Sequence, residues 1–343
     1  MSQRLWNVAV VGAAGMVGAE MIRTLGERRF PVNELRPLDV ADLAGSEMTF
    51  AGRTVVCQEA TEANFAGIDI AVFSAGGDAS LDLAPKAVHQ GAVVIDNSSA
   101  WRMDPACPLV VPEVNPHDLA WHTGIIANPN CSTIQMVVAL KPLHDRARIR
   151  RVVVSTYQAA AGAGKNGLDE LTTQSREILD RGTCRPPKTF QHQLAFNLIP
   201  QIDVFQEGGY TKEEWKMVHE TVKIMGDPGI RVTATTVRVP VFIGHSESVN
   251  IETERKLTAD EARAILTGAP GIVVIDDPAA RAYPMPALAA GTDAVFVGRI
   301  REDNSLEHGL NLWIVSDNVR KGAALNAVQI AEQLVADGLV RVP

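Results

Sequence analysis

The run Asn7-Val8-Ala9-Val10-Val11-Gly12-Ala13-Ala14-Gly15-Met16-Val17-Gly18 decides the fold. Its first residues are apolar and valine-rich, as in a strand buried on both faces of a parallel sheet. The G-x-x-G-x-x-G turn then opens a helix over Met16–Arg28. A phosphate-bearing cofactor needs such a turn, because glycines let the backbone approach a pyrophosphate and the N–H groups at a helix start attract its charge. Glycines also serve tight strand-to-helix turns for steric reasons alone. The surrounding βαβ pattern favours the nucleotide reading.

Outward from that turn, strands at Glu34–Leu38 and Asp69–Ser74, a helix at Ala79–Gln90, and strands at Val93–Asn97 and Gly124–Ala127 continue the alternation. Parallel neighbours require a crossover of a dozen or more residues, so this pattern predicts a doubly wound parallel sheet of Rossmann type. Asp39 closes the second strand about 20 residues after Gly18, the offset at which a carboxylate takes the adenosine ribose hydroxyls of NAD. Asp42 follows, and two carboxylates there would repel a 2′-phosphate. Either is equally readable as a solvated turn residue.

Past Cys131 the pattern changes. Helices are predicted over Ser132–Leu143 and from the Gly162-Ala163-Gly164 turn to about Arg181, with a strand at Val152–Tyr157 between them. The stretch from Thr183 to Pro200 has little periodicity and reads as loop. A helix over Lys212–Met225 then precedes strands at Thr233–Val239, Ser248–Glu254, Ile272–Ile275, Val295–Arg301 and Leu310–Val315. This is a second, α+β domain, followed by an amphipathic helix over Gly322–Ala336. The expected division is a dinucleotide-binding domain over 1–131, with the C-terminal helix of 320–343 returning to it, and a substrate and dimerisation domain over 132–319.

The 343 residues suit two such domains, and 46% apolar with 21% charged residues excludes a disordered or collagenous chain. The net charge of −8 leaves no general positive field for nucleic acid or an anionic membrane. Nothing approaches the ~20 uninterrupted apolar residues of a membrane span, and the N-terminus lacks a leader pattern. Four cysteines without metal-ligand spacing imply neither a disulfide framework nor a metal site. A cytoplasmic location is expected.

Two residues stand out chemically. Cys131, in Asn128-Pro129-Asn130-Cys131-Ser132-Thr133, falls where a strand runs out and a helix begins. A helix N-terminus stabilises a thiolate and makes it a nucleophile near neutral pH, although most lone cysteines are inert core residues. Cys57, Cys107 and Cys184 lack that setting. His245, in Gly244-His245-Ser246, lies between two strand-like runs, and histidine suits general acid/base work beside such a nucleophile. Seven other histidines compete for the role.

The glycine turn, Asn130-Cys131-Ser132, Tyr157-Gln158 before Gly162-Ala163-Gly164, Glu220-x-x-Lys223, Arg238-Val239-Pro240-Val241 with Gly244-His245-Ser246, and Asp317-Asn318 before Lys321-Gly322-Ala323-Ala324 occur in order along nearly the whole chain. Together they resemble the aspartate-semialdehyde dehydrogenase family. The resemblance implies reductive dephosphorylation of L-aspartyl-4-phosphate to L-aspartate 4-semialdehyde with NAD(P), a step toward lysine, methionine, threonine and isoleucine. It further implies that Cys131 attacks the acyl carbon, expels phosphate and forms a thioester that takes hydride. His245 would transfer protons. Gln158 and Asn130 would orient the intermediate and the substrate. Arg238 would fork onto the substrate carboxylate, Glu220 would take the ammonium, and Arg102 with Lys223 would take the phosphate. Gly12, Ala14, Gly15, Met16, Val17, Asp39, Gly162 and Asn318 would contact the cofactor. Taken alone, Glu220 and Lys223 are an ordinary i,i+3 helix pair and Arg102 an ordinary surface arginine.

In one respect the sequence departs from the family. The Ser/Arg-rich loop that holds the 2′-phosphate of NADP in many members is here Leu38-Asp39-Val40-Ala41-Asp42-Leu43-Ala44-Gly45, without a cation. NADP is the family default, whereas Asp39 and Asp42 favour NAD, with Arg36 or Arg53 as cations able to reverse that. A smaller departure is Ala160-Ala161, where a serine is common. Two other readings compete. One is N-acetyl-γ-glutamyl-phosphate reductase, whose substrate lacks the free ammonium that Glu220 would bind. The other is a non-catalytic nucleotide-binding paralogue, which Cys131, His245 and Arg238 together oppose. The family precedent suggests a homodimer or homotetramer built on sheet-face contacts.

Overall fold

A computed structural model describes residues 4–341. The chain divides into two compact units, one comprising residues up to Asn130 together with those from Ala323 onward, the other running from Cys131 to Gly322.

The first unit is built on six parallel strands, β1 (Trp6–Val11), β2 (Val32–Asp39), β5 (Gln58–Glu59), β6 (Ile70–Phe73), β7 (Val93–Asp96) and β8 (Ile125–Ala127), in the order β5-β2-β1-β6-β7-β8. The order reverses between β1 and β6, and ligands of such sheets sit outside the carboxyl ends of the strands at that reversal. Both faces are covered. Val8 and Val10 point into a core shared with helices α1 (Met16–Glu27) and α8 (Leu325–Ala336), while Ala9 and Val11 meet α2 (Gly77–His89) on the other side. A π-helical turn, Arg320–Ala324, leads into α8. The expected elements leave out residues 47–56. There the chain makes a hairpin, β3 (Glu47–Phe50) and β4 (Arg53–Val56), around Ala51 and Gly52, both at positive φ as a tight hairpin requires.

The second unit carries a mixed sheet in the order β10-β9-β11-β14-β13-β12, from β9 (Ile149–Gln158), β10 (Arg231–Arg238), β11 (His245–Thr253), β12 (Ile272–Val274), β13 (Val295–Glu302) and β14 (Gly309–Ser316). Helices α3 (Cys131–Ala147), α5 (Lys212–Met225) and α6 (Ala259–Thr267) pack on it, and α4 (Gly164–Arg181) and the short α7 (Pro286–Ala289) complete the unit. Several strands run further than their apolar residues suggested. β11 begins at His245 rather than Ser248, and β9 runs on to Gln158, because the backbone ladder continues through polar residues that hydrophobic patterning does not register. Residues 182–206 form no regular element, and Ile199 exchanges two backbone hydrogen bonds with Arg238. Among the described residues no helix is long and apolar enough to cross a membrane.

Candidate active site

In the first unit the glycine turn closes over the carboxyl end of β1. Gly12 has φ +77°, and a Cβ on it would lie 2.5 Å from the Ser74 carbonyl oxygen. A Cβ on Gly18 would lie 2.1 Å from the Gly12 oxygen, so these glycines are sterically required. Gly15 caps α1 with no side chain bonded to the first turn, which leaves the amides that begin at Met16 and Val17 for an anionic ligand. Beside them is a cavity of about 370 Å³ lined by Gly12, Ala14, Gly15, Asp39, Ser74 and Ala75, among others, with no basic residue in its wall. The two Asp39 oxygens accept the Ala14 and Val40 amides, each at 2.9 Å. An ionised carboxylate has about four acceptor positions, so two remain for ribose hydroxyls. Arg36 is turned to Glu34 and to the carbonyls of Asn64 and Ala66. The donor set and the glycine cradle fit a dinucleotide.

In the second unit three strand ends meet. Gln158 ends β9, Arg238 ends β10 directly beside it, and His245 starts the antiparallel β11. Register alone therefore brings together three side chains that are 80 or more residues apart in two of their pairings. The Ala159 peptide joins them further. Its amide donates to His245 Nδ1 at 3.0 Å, and its carbonyl accepts from Arg238 Nη1 at 2.8 Å. Gln158 Oε1 accepts from the Thr156 hydroxyl, while Gln158 Nε2 donates to Glu213 Oε1 at 3.1 Å and lies 3.5 Å from His245 Nε2. Gly162 faces the cluster. A Cβ there would sit 2.5 Å from Arg238 Nη1 and 3.4 Å from His245 Cε1 and Nε2. Cys131 is the first residue of α3 and is partly exposed. Gly322 packs so closely against it that a Cβ would come within 2.8 Å of the Cys131 Cβ.

Electrostatics follow from burial. Loss of water lowers the His245 pKa to about 3, an effect that Arg238 reinforces and Glu213 opposes. The ring is neutral at pH 7, and since Nδ1 accepts the Ala159 amide, its proton sits on Nε2. Burial also pulls the Arg238 guanidinium below its ordinary range, against the charges of Glu213 and Cys131. The Phe190 ring lies over that guanidinium at 5.9 Å.

The remaining expected residues are placed as follows. Asn318 Oδ1 accepts the Gly244 amide at 2.9 Å, holding the turn before His245. Glu220 is buried on α5, two turns beyond Glu213, and Lys223 follows it, half-buried. In the first unit Arg102 is buried and donates to the carbonyls of Asn128 and Asn97 at 3.0 and 2.9 Å, so it is not the surface arginine its local sequence suggests. Asn130 is likewise buried. The sequence reading missed Glu213, which also pairs with Lys216 at 3.0 Å, and Phe190. The capping box of Thr211 and Glu214 marks the start of α5, but nothing local directs Glu213 toward Gln158.

Residues 7–122 match the family pattern described as "Semialdehyde dehydrogenase, NAD binding domain", and residues 140–321 match "Semialdehyde dehydrogenase, dimerisation domain". Aspartate-semialdehyde dehydrogenase of Aquifex aeolicus is 56% identical over 338 residues, covering 98% of this chain and 99% of that protein. A solved aspartate semialdehyde dehydrogenase II from Vibrio cholerae, complexed with ASA, has a TM-score of 0.95 at 50% identity and covers 98% of this chain and 99% of its own. A more distant solved enzyme, from Candida albicans with NADP, has a TM-score of 0.76 at 26% identity and covers 98% of this chain and 100% of its own. Matched in both halves and aligned with such relatives from end to end, this chain belongs to the aspartate-semialdehyde dehydrogenase family.

Proposed function

We propose that the chain converts L-aspartyl-4-phosphate and its aldehyde through a thioester on Cys131, at the junction of three strands where Gln158, Arg238 and His245 converge. That convergence is the observation that carries the reading. The family membership makes the chain an NAD(P)-dependent phosphorylating aldehyde dehydrogenase of amino-acid biosynthesis. N-acetyl-γ-glutamyl-phosphate reductase and a non-catalytic paralogue lose ground to relatives at this identity.

The residues divide the work by their bonds. His245 carries its proton on Nε2, and taking a second proton would mean breaking the bond from the Ala159 amide to Nδ1. The ring therefore serves as a donor to the acyl oxygen as negative charge grows there, a narrower role than general acid and base. Cys131 then enters as the thiolate, favoured by the start of α3 and by the charge of Arg238. Its sulfur bonds to the acyl carbon while the carbon–oxygen bond to phosphate breaks, and phosphate departs with the electron pair. When bound, the nicotinamide supplies the hydride that takes the thioester to the aldehyde. Cys131 leaves as thiolate. Arg238 commits Nη1 to Ala159, so Nε and Nη2 form the fork for the substrate carboxylate. The family resemblance assigns the ammonium to Glu220, the phosphate to Arg102 and Lys223, and the orienting of the substrate to Asn130.

NAD is the preferred cofactor in this reading. The cavity wall bears no cation, both Asp39 oxygens keep acceptor capacity, and Arg36 is engaged elsewhere. The enzyme works in the cytoplasm as a homodimer or a dimer of dimers, using the sheet face that carries Tyr157, Ser248 and Trp313 opposite α3 and α5. Mass spectrometry of a denaturing quench with aspartyl phosphate, without cofactor, is expected to show an acyl adduct on Cys131. An adduct elsewhere, or turnover by Cys131→Ala, would reject the assignment.

A further inference from the structure

Beneath this cluster lies a buried acid that the reaction does not use. Glu247 is two residues beyond His245 on β11 and so shares its face, and it is completely shielded from solvent. Its cross-strand neighbours are Thr156, whose hydroxyl is directed to Gln158, and Ile314, which is apolar. Among the described residues no ion pair reaches it. The polar group beside its carboxyl is the amide of Gln135, also fully buried and one turn along α3 from Cys131. Gln135 Nε2 donates to the His245 carbonyl at 3.4 Å. That leaves Gln135 Oε1 and both Glu247 oxygens without a donor.

Buried acceptors without a donor in a dry core cost free energy unless one of them carries a proton. A single proton on Glu247 removes the buried charge, and the carboxyl can then pair with the Gln135 amide beside it, accepting from Nε2 and donating to Oε1. Burial acts in the same direction, pushing the Glu247 carboxyl well above the ordinary carboxylate range. An ionised Glu247 would instead be an isolated charge with one amide to solvate it, a costly state in this setting.

We propose that Glu247 is a positioning residue, a proton-bearing carboxyl that fixes the Gln135 amide so that Gln135 ties the helix bearing Cys131 to the backbone of His245. The tie joins the first two turns of α3 to the first residue of β11, and it sets where His245 Nε2 points. This inference rests on the role proposed for His245.

Three variants and one spectrum test it. Glu247→Leu keeps the volume and loses the donor, while Glu247→Gln keeps a donor that can reach Gln135 Oε1. Displacement of a reacting group by about 1 Å can cost roughly a hundredfold in rate. Glu247→Leu is therefore expected to lose about that factor in kcat, with KM within a few-fold and the melting temperature unchanged or raised, because an apolar group replaces a buried acid. Glu247→Gln is expected to rescue kcat to within about threefold of the parent, a small fraction of that hundredfold. Infrared difference spectroscopy of the parent against Glu247→Gln at neutral pH is expected to show a protonated-carboxyl band that the variant lacks. Full kcat in Glu247→Leu, a Glu247→Gln variant as impaired as Glu247→Leu, or absence of that band overturns the inference. His245→Ala separates the two layers. If it keeps full turnover, the reading of His245 fails and the positioning role with it; if it is impaired while Glu247→Leu is not, only the present inference falls.

Discussion

Replacing Gly162 by alanine adds one methyl group at the point where the candidate active site is tightest. Gly162 is outside the left-handed region of backbone space, so the change brings no backbone strain, and its whole effect is steric. The new Cβ would lie 2.5 Å from Arg238 Nη1, where about 3.5 Å is the normal approach. The guanidinium is buried and hemmed in by Phe190, so it must retreat by about 1 Å along its bond to Ala159 O at 2.8 Å. A charge-assisted bond of this kind contributes about 1.5–3 kcal/mol. At about 2 kcal/mol the loss amounts to roughly 30-fold in kcat/KM. Because Arg238 is assigned to the substrate carboxylate, most of it should appear as a raised KM for aspartate semialdehyde. The assay follows nicotinamide absorbance while semialdehyde, phosphate and cofactor are varied one at a time, with a melting curve to confirm folding. Unchanged kcat/KM would refute the steric reasoning. An effect confined to the cofactor KM would return Gly162 to the cofactor contacts that the family resemblance implies and remove it from the carboxylate site.

Glu213→Gln removes the carboxylate that accepts Gln158, while Lys216 keeps Asp203 at 3.0 Å; kcat should fall about tenfold with the melting temperature little changed, and an unaltered kcat would detach Gln158 from Glu213. Asp39→Ser combined with Asp42→Arg should lower kcat/KM with NAD about tenfold and raise it with NADP, and a parent enzyme that uses NADP as well as NAD would sink the preference for NAD. For pH, the folded-state His245 value of about 3 lies below the unfolded value near 6.5, so the unfolded chain takes the extra proton first. The stability held above pH 6.5 should therefore drain away as pH falls from there toward 3, by about 1.4 kcal/mol per unit, and denaturant titrations should show that part of the slope missing in His245→Gln. Parallel slopes for the two proteins would mean that His245 is not neutral in the fold.

Some of this molecule is written locally. The apolar run at Asn7–Val11, the spacing of Gly12, Gly15 and Gly18, and the strand and helix periods after them announce a doubly wound sheet with a phosphate-ready turn, because each of these features acts over one or two turns of chain. Asp39 is legible for the same reason, at the end of the strand that follows, and Cys131 is legible as a cysteine where a helix starts. Arg238, His245 and Gln158 come into view only through their motifs. What makes them one site is strand register in the second sheet, an arrangement that depends on the pairing of β9 with β10 and β11, between residues 80 or more positions apart in the chain. Only the tertiary structure turns Arg36 away from the cofactor cavity, points Glu213 at Gln158, sets Gly162 against Arg238 and buries Glu247 beside Gln135. The physical reason is common to all four. A side chain's period along the chain says which face it lies on, whereas its partner, its desolvation and hence its protonation depend on what the rest of the fold packs against that face.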